Sequence, residues 1–264
     1  MTSLPSSTTL PTPAESTNPL FIFLGASNLA RGYTALVKAA ENLMHPQPCE
    51  FLGAMGPGRG YCAPAGFLKV VYPPIASCGI LPAAKKKAAH SSRVVALITD
   101  VGNDIVYGVP TSRIISTLSE ILQDLSAMGA EISITSISVD LERDVGECGY
   151  QVLRRIYFPF SKISFDEAAQ ATKEINRFIE NLSSQGIHVI RGLDRYQGLD
   201  RIHHSLLHSS RVWSLIASEI FHSPNDKTRR LVPWSLMRES LIANCVRILA
   251  TDFFQLRERE PGLF

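Results

Sequence analysis

Four short segments carry side chains whose combination could perform nucleophilic chemistry. In Gly25-Ala26-Ser27-Asn28 the serine follows an apolar run and precedes a helical pattern. A serine at that junction has its hydroxyl at the carboxyl end of a strand and its own N–H at a helix N-terminus. One residue can therefore offer both a nucleophile and an oxyanion donor. The plainer role for Ser27 or Asn28 is to cap the helix. Val101-Gly102-Asn103-Asp104 follows a second apolar run, and the Asn103 amide could donate to a developing oxyanion, although the same residue types make ordinary turns. The glycine-rich stretch Gly53-Ala54-Met55-Gly56-Pro57-Gly58-Arg59-Gly60 can bring backbone N–H groups close to a ligand. It lacks the terminal Lys-Ser/Thr of a phosphate loop and does not match GxGxxG, which argues against a nucleotide site. In Asp200-Arg201-Ile202-His203-His204-Ser205 an aspartate three residues before a histidine can fold back onto one ring nitrogen while the other faces a nucleophile. Metal binding is the competing use of these histidines, with only His208 as a further local ligand and no cysteine nearby.

The elements that must position these groups follow from apolar periodicity. Leu20-Phe21-Ile22-Phe23-Leu24 is continuously apolar and stops at Gly25, the pattern of a parallel strand buried on both faces. Leu29, Tyr33, Leu36, Val37, Ala40 and Leu43 then recur at helical spacing until Pro46. Glu50-Phe51-Leu52 and residues 93–98 predict two more strands, and Ile114, Ile115, Leu118, Ile121, Leu122 and Leu125 predict an amphipathic helix entered after Pro110. Residues 132–139 read as the next strand. Ser164 and Glu167 form a capping box that opens a helix running to Gly186. Residues 188–190 predict a last strand, followed by a helix through Val212, Leu215, Ile216 and Ile220. Strands alternating with helices over short connections predict a doubly wound α/β sheet. Each chemical segment follows a predicted strand, so this topology would bring all four to one edge. Residues 54–92 and 140–163 break the rhythm and predict loops over that edge.

Composition narrows the function class. The chain has 264 residues, 45% hydrophobic and 19% charged, with a net charge of +2. It can bury a full core and offers no electrostatic footprint for a nucleic acid. The longest basic run, Lys85-Lys86-Lys87, reads as a solvated loop. Residues 1–18, rich in Ser, Thr and Pro, predict a disordered tail ahead of a single domain over 19–230. Residues 231–264 predict a helical extension packed on the same domain or on a partner. The five cysteines, at 49, 62, 78, 148 and 245, include no CxxC pair, which suggests neither zinc nor a closed disulfide set and fits a reducing, cytoplasmic setting. No run of 18 apolar residues occurs, so neither a membrane span nor a membrane partner is expected.

In order along the chain, the four segments resemble the blocks of the SGNH, or GDSL-like, hydrolase family, which carry a Ser, a Gly, an Asn and a His. Gly25-Ala26-Ser27, Gly53-Ala54-Met55-Gly56, Gly102-Asn103-Asp104 and Asp200-Arg201-Ile202-His203 correspond to them, spanning Phe21 to His203. Ala26 stands where the family usually has Asp, and Val101 where the third block has Gly two before its Asn; neither change removes a catalytic group. The resemblance implies a three-layer α/β/α sandwich with a central, mainly parallel, flavodoxin-like sheet, and ester hydrolysis through an acyl-enzyme, with Ser27 as nucleophile, His203 as base in preference to His204, and Asp200 orienting His203. It implies an oxyanion hole from the N–H groups of Ser27 and Gly56 and the amide of Asn103, with Gly58 and Gly60 as alternatives to Gly56. No metal or organic cofactor is implied. A small acyl ester is the expected substrate, an acetylated carbohydrate being preferred, and Arg59 could bind it unless it is simply an exposed loop arginine. Two other functions fit the same pattern: a catalytically weak ligand-binding protein on this scaffold, and an acyltransferase using the same serine.

Overall fold

The computed structural model describes residues 18–67, 70–222 and 230–264; of the tail predicted at 1–18, all but Asn18 lies outside the described residues. Five strands form the central sheet in the order β2-β1-β5-β6-β7: β1 (Leu20–Leu24), β2 (Glu50–Ala54), β5 (Val94–Ile98), β6 (Glu131–Thr135) and β7 (His188–Ile190). Every neighbouring pair is parallel, and Leu24 lies between Ala54 and Ile98 in register. Because successive side chains alternate across a strand, Leu20, Ile22 and Leu24 enter one core with Ala96 and Ile98, while Phe21 and Phe23 enter the other with Val95 and Leu97. The first core is closed by α2 (Ile80–Ala88), α4 (Thr111–Ala127) and α6 (Phe165–Asn181), and the second by α1 (Ser27–Met44) and α7 (Ser209–Ile220). The result is a three-layer α/β/α sandwich, and the capping box of Ser164 and Glu167 opens α6.

The stretches that broke the helix and strand rhythm hold more structure than loops. Residues 54–92 contain a short antiparallel hairpin, β3 (Ala65–Phe67) with β4 (Val70–Tyr72), and the whole of α2. Three-residue strands fall below any readable period, and α2 is disguised by Pro82 in its first turn and the lysine run in its last. Those lysines suit a helix C-terminus, and Lys87 pairs with Glu50. Residues 140–163 contain α5 (Gly146–Tyr157) behind a π-helical turn at Leu141–Val145; only Tyr150 of α5 is fully buried, so little apolar pattern marked it. The strand expected over 132–139 ends at Thr135. Beyond it the backbone of Ile137 is gripped on both sides by the Asn176 amide, donating N–H to Oδ1 at 2.8 Å and accepting from Nδ2 at 2.9 Å. A side chain from α6 thus replaces a neighbouring strand.

α8 (Trp234–Val246) lies along α1, where Ser240 Oγ accepts from the Ala35 N–H at 3.2 Å and donates to the Arg31 carbonyl at 2.7 Å. Farther on, Gly53 donates to the Gly262 carbonyl at 2.8 Å and accepts from the Phe264 N–H at 3.0 Å. The last residues thereby cover the outer edge of β2, which would otherwise present unpaired backbone groups. Among the described residues, no helix is long and apolar enough to cross a membrane.

Candidate active site

The carboxyl ends of β1 and β5 and the loop after β7 bring three of the four segments together. Ser27 opens α1, and its Oγ donates to His203 Nε2 at 2.9 Å. His203 Nδ1 lies 2.6 Å from Asp200 Oδ2, so the two ring nitrogens face the serine and the carboxylate respectively. The loop has local reasons for this shape. Asp200 Oδ1 accepts from the backbone N–H groups of Ile202 (3.2 Å) and His203 (2.9 Å), the closed turn that aspartate favours. The Gly198 N–H donates to the His203 carbonyl at 2.7 Å and locks the loop across its base. Burial alone would raise the Asp200 carboxyl, but hydrogen bonds from the His203 ring and backbone outweigh it and hold the group far below the usual carboxylate range. Asp200 is therefore ionised and ready to stabilise a charged imidazole. Tyr157, at the end of α5, adds a hydroxyl donor to Asp200 Oδ2 at 3.2 Å.

His204, the rival base, has a different fate. It is buried edge-on against Trp213, and burial pushes its imidazole down to about 4, so it is neutral near pH 7. Its backbone N–H donates to Asn28 Oδ1 at 3.0 Å, and Asn28 Nδ2 donates in turn to Asp100 Oδ1 at 2.9 Å. Asp100 Oδ2 accepts from the N–H groups of Ala26 (2.8 Å) and Leu29 (3.0 Å). A carboxylate at the end of β5 thus caps α1 from outside, and no side chain of the preceding turn does so. Asp100 holds a left-handed backbone (φ 59°), a conformation costly for a residue with a side chain and one that collects at functional sites. Asp100 was missed in the sequence because caps are sought beside the helix they serve, and this one comes from 74 residues away. Among the described hydrogen bonds the N–H of Ser27 has no protein acceptor.

The Asn103 amide, at the start of α3 (Asn103–Val106), donates one N–H to the Arg59 carbonyl at 2.9 Å, and its second N–H has no acceptor among the described hydrogen bonds. The neighbouring Asp104 is fully buried and accepts from the N–H groups of Tyr61 (2.5 Å), Cys62 (3.1 Å) and Ala63 (3.2 Å), which fastens the glycine-rich loop to the end of β5. Gly60 allows this approach, since a Cβ there would lie 2.6 Å from Asp104 Oδ1. Gly58, at φ 72°, is held through its carbonyl by the Tyr107 hydroxyl at 2.8 Å. Gly56 lies against the Tyr72 ring, 2.4 Å from where a Cβ would sit, and its N–H has no acceptor among the described hydrogen bonds.

Arg59 corrects an expectation. Rather than standing in an exposed loop where it could meet substrate, it is fully buried, donating from Nε to the Pro73 carbonyl at 3.1 Å and from Nη1 to the Phe264 carbonyl, with its guanidinium 5.7 Å from the Tyr72 ring centre. Its charge serves the junction between the glycine-rich loop and the last residues of the chain. Among the described residues, no group of three His, Cys, Asp or Glu could hold a metal ion.

Ser27, Gly102 and Asn103 line a cavity of about 130 Å³ whose other walls include Ile105, Val106, Ile137, Val145, Leu153 and Phe158. Ile137, just past the end of β6, and Leu141, Val145, Leu153 and Phe158, from the stretch read in the sequence as a loop at 140–163, supply most of the apolar wall. Phe158 is braced edge-on by Tyr107, with ring centres 5.3 Å apart.

No protein-family model matches this sequence, and no curated protein matches it. Solved structures do resemble it. The crystal structure of TesA is 15% identical, covering 78% of this chain and 99% of its own, with a TM-score of 0.47. A member of the lipolytic protein G-D-S-L family from Veillonella parvula DSM 2008 is 13% identical, covering 77% and 97%, with a TM-score of 0.46. The psychrotrophic esterase EstA from Pseudoalteromonas sp. is 12% identical, covering 79% and 100%, with a TM-score of 0.44.

Proposed function

We propose that the protein is a serine-dependent ester hydrolase. The observation that carries this reading is the continuous relay from Ser27 Oγ to His203 Nε2 (2.9 Å) and from His203 Nδ1 to Asp200 Oδ2 (2.6 Å). In this reading Ser27 attacks the ester carbonyl while His203 takes its proton, forming a tetrahedral intermediate. The N–H groups of Ser27 and Gly56 and the free N–H of Asn103 donate to its oxyanion. His203 returns the proton to the leaving alcohol, leaving an acyl-enzyme at Ser27. Water, deprotonated by His203, then attacks the acyl-enzyme, and the carboxylic acid leaves as Ser27 recovers its proton. Asp200 stays ionised throughout and stabilises the imidazolium.

A fluorophosphonate probe and short p-nitrophenyl esters test the reading together. Labelling and hydrolysis should both occur in the wild type and both vanish in Ser27→Ala. A wild type that shows neither, or a variant that keeps both, removes the proposed mechanism and leaves a ligand-binding role for the cleft. An acyltransferase would be labelled too, but would release product faster when a second alcohol is added.

A further inference from the structure

We infer that the cavity beside Ser27 receives an unbranched apolar acyl chain of about four to six carbons, with Ile137 and Val145 setting its length; this rests on the hydrolase reading above. The size comes first. An apolar cavity of roughly 150 Å³ holds a six-carbon ring, and the space here is about 130 Å³. An acetyl group would place one methyl in it and leave most of the apolar wall unsatisfied. The chemistry of the wall agrees. Ile105, Val106, Ile137, Val145, Leu153 and Phe158 present hydrocarbon. Most of the charged or titratable side chains in the wall are already engaged, although two buried nitrogens there, Arg154 Nε and His204 Nδ1, have no partner. Asp100 accepts from Ala26, Asn28 and Leu29, Arg154 donates to the Ser161 carbonyl and to Gln151 Oε1, and burial keeps His204 neutral near pH 7.

The wall is also preorganised. Ile137 stands 3.6 Å from where a Cβ on Gly102 would lie, next to the Asn103 oxyanion donor, so it faces the start of the acyl chain. Its backbone is fixed on both sides by the Asn176 amide at 2.8 and 2.9 Å, so its side chain meets a ligand without first having to be ordered. Val145 comes from the turn that leads into α5, the element whose last residue, Tyr157, donates to Asp200. The segment that closes the pocket thus also touches the triad.

The test is a series of p-nitrophenyl esters from acetate to decanoate, with kcat/KM measured for the wild type, Ile137→Ala and Val145→Trp, and folding checked by thermal melts. Each buried methylene is worth roughly fourfold in binding, so kcat/KM should climb from acetate to hexanoate by well over tenfold and then level or fall at decanoate. Ile137→Ala should move the optimum to longer chains and Val145→Trp to shorter ones. Two substitutions on different elements keep the test decisive if one of them fails to fold. An active, fluorophosphonate-labelled wild type with its optimum at acetate, or a profile that neither folded variant moves, overturns the pocket assignment alone. No hydrolysis of any ester together with no labelling overturns the hydrolase reading, and this inference with it.

Discussion

The backbone N–H of Ala26 donates to the Asp100 carboxylate at 2.8 Å, so the residue just before the nucleophile is held by a side chain from the neighbouring strand. Because Asp100 also holds Asn28, which holds the His204 backbone, one carboxylate ties the serine turn to the histidine loop. Asp100→Ala should therefore lower kcat by about a hundredfold, the scale expected when reacting groups lose about 1 Å of alignment, with KM little changed. Asp100→Asn, which keeps one acceptor oxygen, should recover part of that loss. Equal loss in both variants, or a loss confined to KM, would show that Asp100 does not position the relay.

Asp200→Asn separates orientation from mere presence. The amide can still accept from the Ile202 and His203 backbone, but it offers the imidazole a neutral partner and can hold the wrong tautomer. Turnover should fall by about 10⁴-fold while the fold survives. A residual rate close to wild type would point to another base, and His204, neutral and turned toward Trp213, is the histidine to examine next.

Asn103→Ala removes the one side-chain donor proposed for the oxyanion and should cost roughly 100- to 1000-fold in kcat. It also frees the Arg59 carbonyl, so a melt belongs beside the kinetics. If kcat is unchanged, the Asn103 amide serves only as a strut for the glycine-rich loop.

The central strands, the helices that follow them and the fold-back of Asp200 onto His203 were legible because they rest on local signals: apolar runs, capping residues and an Asp-x-x-His spacing. What escaped has a common physical cause. Asp100, Asn176 and Tyr157 act on groups 74, 39 and 43 residues away, and such contacts leave no periodicity to read. α5 was hidden because a helix that buries little carries little pattern, and α2 because proline and lysine occupy its ends. Arg59 misled for a related reason: a charge between glycines suggests an exposed loop, while its partners, Pro73 and Phe264, lie outside that stretch.

His204 predicts how stability depends on pH. Burial lowers its imidazole from the ordinary 6.5 to about 4, so in that window the unfolded chain binds a proton that the folded chain refuses. Stability should be full above pH 6.5 and decline as the pH falls toward 4, by roughly 3 kcal/mol across the window at about 1.4 kcal/mol per pH unit. Denaturant titrations at pH 7, 6 and 5 would measure it, and His204→Phe should flatten the slope. A wild type equally stable at pH 7 and pH 5 would mean that His204 takes up its proton within the fold.

Arg59→Met distinguishes a structural arginine from a substrate-binding one. The methionine can fill much of the buried volume, but the Pro73 and Phe264 backbone oxygens lose their donor. Pro73 is exposed and Phe264 half-buried, so water replaces part of each bond and the loss should be about 1–2 kcal/mol. For a chain of this size that lowers Tm by roughly 2–8 °C, and KM for a neutral ester should stay where it was. The opposite result, an unchanged melt with a raised KM, would return Arg59 to the substrate and contradict its full burial.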